Sequence, residues 1–432
     1  MESRANGDDA CLIRPRFPSM VRLLHLADVH LDTAFEGRSA ALREHLRDAL
    51  RTAFERAVDC AIDEAVHAVL LAGDLFDDDR LSVATEAFLI DQVGRLDDAG
   101  IDVVYATGNH DPGGSGFRAA QIDWPDRFHY VDTRTPTTIP LTGPDGEPRA
   151  TVVAAGHVDA HEDTNLAARF PAADGPGPTI GLLHAHVTSA RRVEAHDRYA
   201  PCTVEDLRAP GYDYWALGHV HTRQQVDEAA SAWYPGNLQG RSPRETGARG
   251  GLLVMLAPDR PPDVAFRPFA PTRWEHLPLG DLSTVDTVQA LVQTAAAAHR
   301  ETARDAAATD WLLRVSLRGP CPMADRLADP DQRAELEQVL RERLDVRDVT
   351  VRTRHLVPPV DPDAFRGETH LIGEVLALLE RARADDEVLD AVAPDVLAGS
   401  DGDPAARRAY LRSLLEGLDR EAVARLLDER EE

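Results

Sequence analysis

Lysine is absent from this chain of 432 residues, so arginine supplies every permanently charged basic side chain. The formal net charge is −27 at pH 7, with 74 acidic residues against 47 basic ones. A field of this sign opposes non-specific adhesion to nucleic acid, because polyanion binding relies on cationic side chains that displace counterions.

Cysteine is scarce, and long apolar runs are missing. The four cysteines are far apart and form no C-x-x-C pair, which argues against a disulfide framework or a zinc ribbon. No stretch approaches the roughly 18 apolar residues of a membrane span. Residues 1–19 lack the apolar segment of a secretory signal, and we expect them to form a disordered extension. These absences predict a cytoplasmic protein without membrane association.

Strand-like and helix-like patterns alternate in the first part of the chain. In chain order these segments are 21–27, 40–65, 69–72, 82–99 and 103–107. The alternation is typical of βαβ units and of a largely parallel sheet. Four later strand-like runs predict a second sheet stacked on the first. They cover 151–155, 179–183, 214–217 and 251–256.

The composition also predicts how the chain is divided. We expect a main domain at 20–270, a small α+β capping domain at 271–360 and a helical C-terminal region at 361–432. Residues 159–178 are rich in Asp, Ala, Gly and Pro, which indicates a surface loop or lid. The C-terminal helices are amphipathic, and this pattern is equally compatible with packing on the domain and with docking to a partner.

Five short clusters of metal-ligand side chains each follow a strand-like run. They are Asp28-Val29-His30, Gly73-Asp74, Gly108-Asn109-His110-Asp111, His184 and Gly218-His219-Val220-His221. In α/β sheets, sites form beyond the carboxyl ends of the strands, so the clusters are expected to converge. Carboxylates, imidazoles and an amide in this setting suit two divalent cations that share a bridging ligand.

Each cluster alone has a simpler explanation, because Gly-Asp and Gly-Asn segments are common in turns and helix caps. The strand-end context that all five share favours a metal site. Asp74 is best suited to bridge two cations, since one carboxylate offers two oxygens. Mixed oxygen and nitrogen ligands without thiolate suit Mn²⁺, Fe²⁺ or Zn²⁺ better than Mg²⁺, and we expect Mn²⁺.

The pattern D-x-H, G-D-x-x-D, G-N-H-D, H and G-H-x-H resembles that of the calcineurin-like metallophosphoesterases. Within that family, the segment LADVHLD at 26–32 and the segment YPGNLQ at 234–239 are similar to the SbcD/YhaO-type DNA repair exonucleases. The resemblance covers about 20–268. It implies an α/β fold, the four-layer α/β/β/α sandwich, to which the capping domain and the helical tail are added.

The resemblance also implies roles for individual residues. One metal takes Asp28, His30, Asp74 and His221, and the second takes Asp74, Asn109, His184 and His219. His110 would contact the phosphate and assist the leaving oxygen, while Asp111 orients its ring. His186 and His157 are rivals of His184, which we prefer because it directly follows the run 180–183. Asp77 is interpreted as a structural partner, not as a ligand.

The segment from Tyr234 to Arg249 is the predicted substrate strip. Tyr234, Asn237, Arg241 and Arg244 are its candidate substrate-binding residues, because arginine can hold a phosphate through two parallel hydrogen bonds. A surface hairpin with solvated arginines is the alternative.

The leading hypothesis is a Mn²⁺-dependent DNA exonuclease or endonuclease of DNA repair. An ATPase partner of the SbcC/YhaN kind and pairing into a homodimer are implied by the family resemblance. Hydrolysis of small or cyclic-nucleotide phosphodiesters and a non-catalytic scaffold role in a repair complex stay open as alternatives. A phosphomonoesterase is disfavoured, because Asp77-Asp78-Asp79 stands where those enzymes carry Asp-Arg-Gly.

Overall fold

A computed structural model of the chain describes residues 20–77, 81–114, 118–143, 147–175, 177–188, 199–258, 260–304, 310–393 and 404–428. The predicted extension at 1–19 lies outside these residues. Within the described ranges, no helix is long and apolar enough to cross a membrane. The chain divides into two compact units, one ending at Arg273 and the other beginning at Trp274.

The first unit is built on two six-stranded sheets. Its strands are β1 (Val21–Leu26), β2 (Ala68–Ala72), β3 (Asp102–Ala106), β4 (Phe128–Val131), β5 (Thr137–Thr142), β6 (Pro148–Ala155), β7 (Thr179–His184), β8 (Tyr214–Gly218), β9 (Gln224–Asp227), β10 (Ala232–Tyr234), β11 (Gly250–Leu256) and β12 (Asp263–Pro268). One sheet has the order β12-β11-β1-β2-β3-β4, and the other has the order β5-β6-β7-β8-β10-β9.

Both sheets have parallel centres. Strands β1 to β4 pair in parallel in the first sheet, as do β6, β7 and β8 in the second. Strands β2, β3, β7 and β8 are buried at every residue, as expected for parallel strands that are covered on both faces. One apolar cluster contains residues of both sheets, among them Leu70, Val104, Val152 and Leu182. The prediction of two stacked sheets is therefore confirmed. The run 251–256 was assigned to the wrong sheet, because β11 pairs antiparallel with β1 and so belongs to the first sheet.

Helices α1 (Ala40–Asp63) and α2 (Val83–Asp98) connect the strands of the first sheet. Each begins where a serine side chain, Ser39 or Ser82, accepts a backbone N–H of the first turn. The second sheet is covered by the short helix α3 (Val204–Arg208) and by residues 159–175. That segment is not a lid, because Leu166 and Phe170 are buried in a cluster with Trp215.

The second unit contains a three-stranded sheet in the order β13-β14-β15 and seven described helices. The strands are β13 (Thr272–Leu279), β14 (Asp310–Pro320) and β15 (Asp348–Val357). The helices are α4 (Val288–Ala303), α5 (Ala324–Ala328), α6 (Pro330–Leu344), α7 (Leu371–Ala384), α8 (Asp386–Val392), α9 (Pro404–Leu414) and α10 (Leu418–Asp428). The predicted capping segment from residue 274 onward and the predicted C-terminal region both fall within this unit.

Candidate metal centre

The candidate ligands lie at the carboxyl ends of neighbouring parallel strands. Asp28 and His30 follow β1, Asp74 follows β2, and His184 is the last residue of β7. His184 pairs with Gly218, the last residue of β8, so the segment that leads to His219 and His221 leaves the sheet beside it. This common edge places the side chains of both sheets in one cluster.

Several of these residues have a left-handed backbone conformation that non-glycine residues rarely adopt. The φ angle is 51° at Asp28 and His30, 52° at Asp74 and 104° at His219. A strained backbone of this kind costs on the order of 1–3 kcal/mol per residue and is concentrated at functional sites. Hydrogen bonds between the two loops hold it, since Asp28 N–H donates to Gly73 O at 3.2 Å and His30 N–H donates to Asp74 O at 2.9 Å.

The first ligand group consists of Asp28, His30 and His221. The Nε2 atoms of the two histidines are 3.3 Å apart, and His221 Nε2 is 3.6 Å from Asp28 Oδ1. His30 Nδ1 lies 2.9 Å from Asp77 Oδ1, and His221 Nδ1 lies 2.7 Å from Glu245 Oε1. Each carboxylate favours a proton on Nδ1, so both Nε2 atoms direct lone pairs toward the same point.

The second ligand group consists of Asp74, Asn109 and His184. His184 Nδ1 is 2.9 Å from the carbonyl oxygen of Ala72, which can only accept, so Nδ1 carries the proton. His184 Nε2 therefore directs a lone pair toward Asn109 Oδ1 at 3.0 Å and Asp74 Oδ2 at 3.5 Å. Convergent acceptors repel one another unless a cation lies between them, and both groups fit a divalent metal in this respect.

Asp74 lies between the two groups. Its Oδ2 is 3.7 Å from His30 Nε2 as well as 3.5 Å from His184 Nε2, while its Oδ1 accepts the His110 N–H at 3.0 Å. Ligand atoms of Asp28, Asp74 and His184 lie within 4.8 Å of one another, and so do those of Asp28, His30 and His221. This position is the one that a bridging carboxylate requires.

His219 and the rivals of His184 lie around these groups. The backbone N–H of His219 donates to both oxygens of Asp28, at 3.2 and 3.1 Å, and its ring centroid is 5.3 Å from that of His184. His157 Nε2 is 2.7 Å from the carbonyl oxygen of His184 and so contacts the end of β7. The ring of His186 lies against that of His219, at 5.8 Å between centroids.

The structure differs from the sequence analysis in the partner of His110. His110 Nδ1 contacts Asp77 Oδ1 at 3.2 Å, and the same oxygen contacts His30 Nδ1 and Arg241 Nη1 at 2.9 and 2.7 Å. Asp77, which the sequence analysis treated as a structural partner, therefore links three side chains of the site.

Asp111 does not orient the ring of His110 and instead fixes the loops around the site. Its buried carboxylate accepts the backbone N–H groups of Asp74, Leu75, Phe76 and Gly108 and the hydroxyl of Tyr105, at distances from 2.5 to 3.2 Å. Because these donors belong to two loops, one carboxylate joins the loop after β2 to the loop after β3.

Two members of the predicted substrate strip are structural. Tyr234 is fully buried, and its hydroxyl donates to Ala185 O at 2.7 Å and accepts the Val187 N–H at 3.1 Å. Asn237 is also fully buried, and its Oδ1 accepts from Arg249 Nη1 at 2.8 Å. Neither side chain reaches the surface, so their assignment as substrate contacts is wrong.

Arg241 and Arg244 have different surroundings. Arg241 reaches the site through Asp77, and its side chain is 16% exposed. Arg244 is an exposed residue of the same loop. Glu245 was missed by the sequence analysis, although it joins this loop to the site: Oε1 contacts His221, and Oε2 accepts the N–H groups of Arg241 and Ser242 at 2.5 and 3.0 Å.

Burial and neighbouring charges shift the pKa values of the cluster. Burial, reinforced by the charge of Asp74, raises the pKa of Asp28 to about 7, and burial lowers the pKa of His30 to about 3. Burial disfavours a charged ring at His110 as well, but the hydrogen bond to Asp77 and the charge of Asp74 outweigh it and raise the pKa of His110 to about 9. The contact with Asp77 thus favours the protonated form of the His110 ring.

Comparison with known proteins identifies the class to which this arrangement belongs. A family model described as calcineurin-like phosphoesterase matches residues 21–223. Residues 21–223 therefore match a calcineurin-like phosphoesterase domain, and the resemblance found in the sequence is confirmed. The candidate ligand groups of the structure agree with a metal centre of this class.

Three individual relatives point to one branch of this class. The uncharacterized metallophosphoesterase YhaO of Bacillus subtilis is 35% identical over 237 residues, which cover 54% of this chain and 57% of YhaO. The DNA double-strand break repair protein Mre11 of Aeropyrum pernix is 30% identical over 256 residues, covering 56% of this chain and 59% of its own. Mre11 of Methanopyrus kandleri is 25% identical, covering 54% of each chain. The chain thus matches little more than half the length of each relative, and the set agrees with the SbcD/YhaO-type branch.

Proposed function

We propose that the protein is a two-metal phosphodiesterase that cleaves DNA as an exonuclease or endonuclease in DNA repair. The observation that carries this proposal is the convergence of acceptor atoms around Asp74, with the ring of His110 beside them. Asp28, His30, Asp74 and His221 are the proposed ligands of one Mn²⁺. Asp74, Asn109, His184 and His219 are those of the second. Bound Mn²⁺ ions would supply Lewis-acid polarisation of the phosphate ester and activation of the attacking water.

The remaining steps belong to side chains of this chain. His110 is 41% exposed on the rim of the cluster and holds its proton through Asp77, so it can donate to the leaving oxygen. Arg241 contacts the same carboxylate and supplies a positive charge beside the site. Arg244, exposed on the same loop, is the proposed contact to a more distant phosphate.

DNA is proposed as the substrate, ahead of small diesters, because of the names of two relatives. Both are named as DNA double-strand break repair proteins. The acidic composition favours a small or cyclic-nucleotide diester as the second candidate, since the net charge of −27 repels a polymeric anion. A non-catalytic scaffold is the least favoured function, because the proposed ligands and His110 are all present.

We further propose that the protein acts with an ATPase subunit of the SbcC/YhaN kind. The amphipathic C-terminal helices are the proposed docking element, and their exposed apolar residues include Leu378 on α7 and Tyr410 and Leu414 on α9. Pairing of two copies through their phosphoesterase domains, which the family resemblance implies, stays a prediction.

The direct test compares His110→Ala with wild type after reconstitution with Mn²⁺. We expect the variant to bind two equivalents of Mn²⁺ and to lose roughly 10²–10⁴-fold in the rate of DNA hydrolysis, the usual contribution of a general acid. Labelled single-stranded and duplex DNA and bis-p-nitrophenyl phosphate are the three substrates.

His161→Ala is the matched control, since the His161 side chain is 79% exposed and takes no part in the site. Its activity should equal that of wild type. Wild-type hydrolysis of bis-p-nitrophenyl phosphate without any cleavage of DNA would favour the small-diester alternative. Full activity of the His110 variant on every substrate would refute the proposed mechanism.

A further inference from the structure

The three-stranded sheet of the second unit has two chemically different faces. Alternating residues of its strands, such as Leu277 on β13, Val315 on β14 and Val351 on β15, belong to one apolar cluster together with residues of α4 and α6. Because successive side chains of a strand point to opposite faces, the residues between them face away from α4 and α6. That second face contains none of the candidate ligands.

The open face is strongly cationic. A groove of about 420 Å³ is lined on this face by His276, Arg314, Ser316, Arg318, Arg352 and Arg354. His355 completes the lining. No acidic side chain of the described chain lines this groove, while Arg354 and His355 also line an adjoining cavity with Asp325 and Glu421. In a chain with a net charge of −27, such a concentration of positive charge is a local reversal of the overall field.

Strand pairing fixes the spacing of these charges. In the parallel pair of β14 and β15, Ser316 is opposite Arg352 and Arg318 is opposite His355. Neighbouring strands are separated by about 4.8 Å, and residues two apart on one strand by about 6.6 Å. The arginines therefore form short rows of charges, and successive phosphates of an extended strand have a comparable spacing.

Most arginines of the second unit for which the structure shows a side-chain contact form ion pairs with acidic residues. Arg347 contacts Asp310 at 2.9 Å, and Arg408 contacts Asp390 at 2.7 Å. Within the part of the chain that the structure describes, no ion pair involves Arg318, Arg352 or Arg354, all of which are exposed. Like charges side by side on one sheet face destabilise it, so an anion is the missing complement.

The charges of the groove also affect the pKa of His276, which is part of its lining. Burial, together with the charges of Arg314 and Arg318, lowers the pKa of His276, whose Nε2 is 2.8 Å from Ser316 Oγ. Glu275 precedes His276 on β13 and has the opposite effect on the pKa of His276. The groove itself keeps an excess of positive charge.

We propose that this open face, centred on Arg318, Arg352 and Arg354, binds the phosphodiester backbone of a nucleic acid strand. The charges point to a phosphate polyanion, and the choice of nucleic acid rests on the proposed nuclease function. Arginine can hold each phosphate by two hydrogen bonds, and the lining includes no Phe, Tyr or Trp for base stacking. Binding at this face is therefore independent of base sequence.

The test measures binding of the full chain to a fluorescein-labelled single strand and to its duplex by anisotropy, with EDTA present to prevent hydrolysis. The open-face variant combines Arg318→Gln, Arg352→Gln and Arg354→Gln. Its affinity for the single strand should fall at least roughly tenfold, and the slope of log affinity against log salt should decrease by about two, since each lost contact removes about 0.7.

The matched control makes the same change of charge on the helical side of the unit, with Arg300→Gln on α4 and Arg341→Gln and Arg343→Gln on α6. It should bind nearly as well as wild type. Hydrolysis of bis-p-nitrophenyl phosphate with Mn²⁺ should be equal in all three proteins, which separates this inference from the proposed catalysis.

Three results would overturn the inference. Equal losses of affinity in the two triple variants would show a general effect of net charge. Failure of wild type to bind either nucleic acid, while it still hydrolyses the small diester, would remove this face as a nucleic acid site and leave the phosphodiesterase intact. Displacement of bound DNA by polyglutamate at similar concentration would assign the face to an acidic protein.

Discussion

At the scale of single residues, Glu245 shows how one carboxylate can organise a metal centre from outside it. It contacts His221 Nδ1 at 2.7 Å and accepts two backbone N–H groups of the loop that carries Arg241. Arg241 in turn contacts Asp77, which touches His30 and His110. The orientation of a proposed ligand and the position of a proposed substrate arginine therefore depend on the same side chain.

Glu245→Gln tests this arrangement. The amide keeps the size of the side chain but loses the charge that holds the His221 proton on Nδ1, so we expect roughly 10–100-fold weaker Mn²⁺ binding at the group of Asp28, His30 and His221. Titration calorimetry should show one weakened site and one unchanged site.

The matched control is Glu228→Gln, which changes an exposed glutamate of the same unit. Two sites of wild-type affinity in the Glu245 variant would mean that His221 is held by its other contacts, and the role assigned to Glu245 would have to be abandoned.

Residues of the site could be predicted from the sequence only where a local pattern determines their position in the fold. Asp28, Asp74 and His184 follow strands that apolar runs mark, so their convergence follows from the rules of parallel sheets. Tyr234 and Asn237 were assigned wrongly because their burial depends on distant segments. Tyr234 bonds to residues near 186, and Asn237 bonds to Arg249, and neither contact has a signature in the sequence.

At the scale of elements, strands too could be predicted only where a local sequence pattern marks them. The fully buried strands β2 and β3 were predicted from their continuous apolar runs. Strands β4 and β10 were missed, since they are only four and three residues long and contain partly exposed positions. Pairing with β3 and β8 determines these short strands, and such pairing is a tertiary property.

The C-terminal helices have one buried and one exposed apolar surface. Ile372 and Leu376 of α7 pack with Val423 of α10, while Tyr410 and Leu414 of α9 are 56% and 48% exposed. The two are four residues apart and so share one face of the helix. An exposed apolar pair of this kind is the proposed contact for the ATPase partner.

The double variant Tyr410→Ser with Leu414→Ser tests the docking role of α9. We expect loss of co-purification with a coiled-coil ATPase of the SbcC/YhaN kind, because the apolar contact is removed, while hydrolysis of bis-p-nitrophenyl phosphate is retained. Glu416→Ser with Arg420→Ser, at exposed polar positions nearby, is the control and should retain the partner. Retention of the partner by both variants would count against α9 as the docking element.

At the scale of the whole molecule, the acidic composition and the candidate metal centre both make the stability of the protein depend on cations. Asp28, Asp74 and Asp111 are almost fully buried. Burial raises the pKa of Asp28 and of Asp111, whereas at Asp74 burial is outweighed by the histidines around it, which lower its pKa. The net charge of −27 adds a general repulsion that cations reduce. Stability should therefore respond to cations in two ways, through non-specific screening and through specific binding at the site.

Addition of Mn²⁺ to metal-depleted protein separates these effects. At about 100 times the dissociation constant, each site stabilises the folded state by about 2.7 kcal/mol, which corresponds to a rise of about 5–10 °C in the melting temperature. Calorimetry at fixed ionic strength, with Na⁺ replacing Mn²⁺, holds the screening constant. In Asp74→Asn the bridging charge is lost, so most of the Mn²⁺-dependent rise should disappear, whereas Asp132→Asn should keep it. An equal rise in both variants would mean that Mn²⁺ acts on the acidic surface and that the two ligand groups around Asp74 do not bind it.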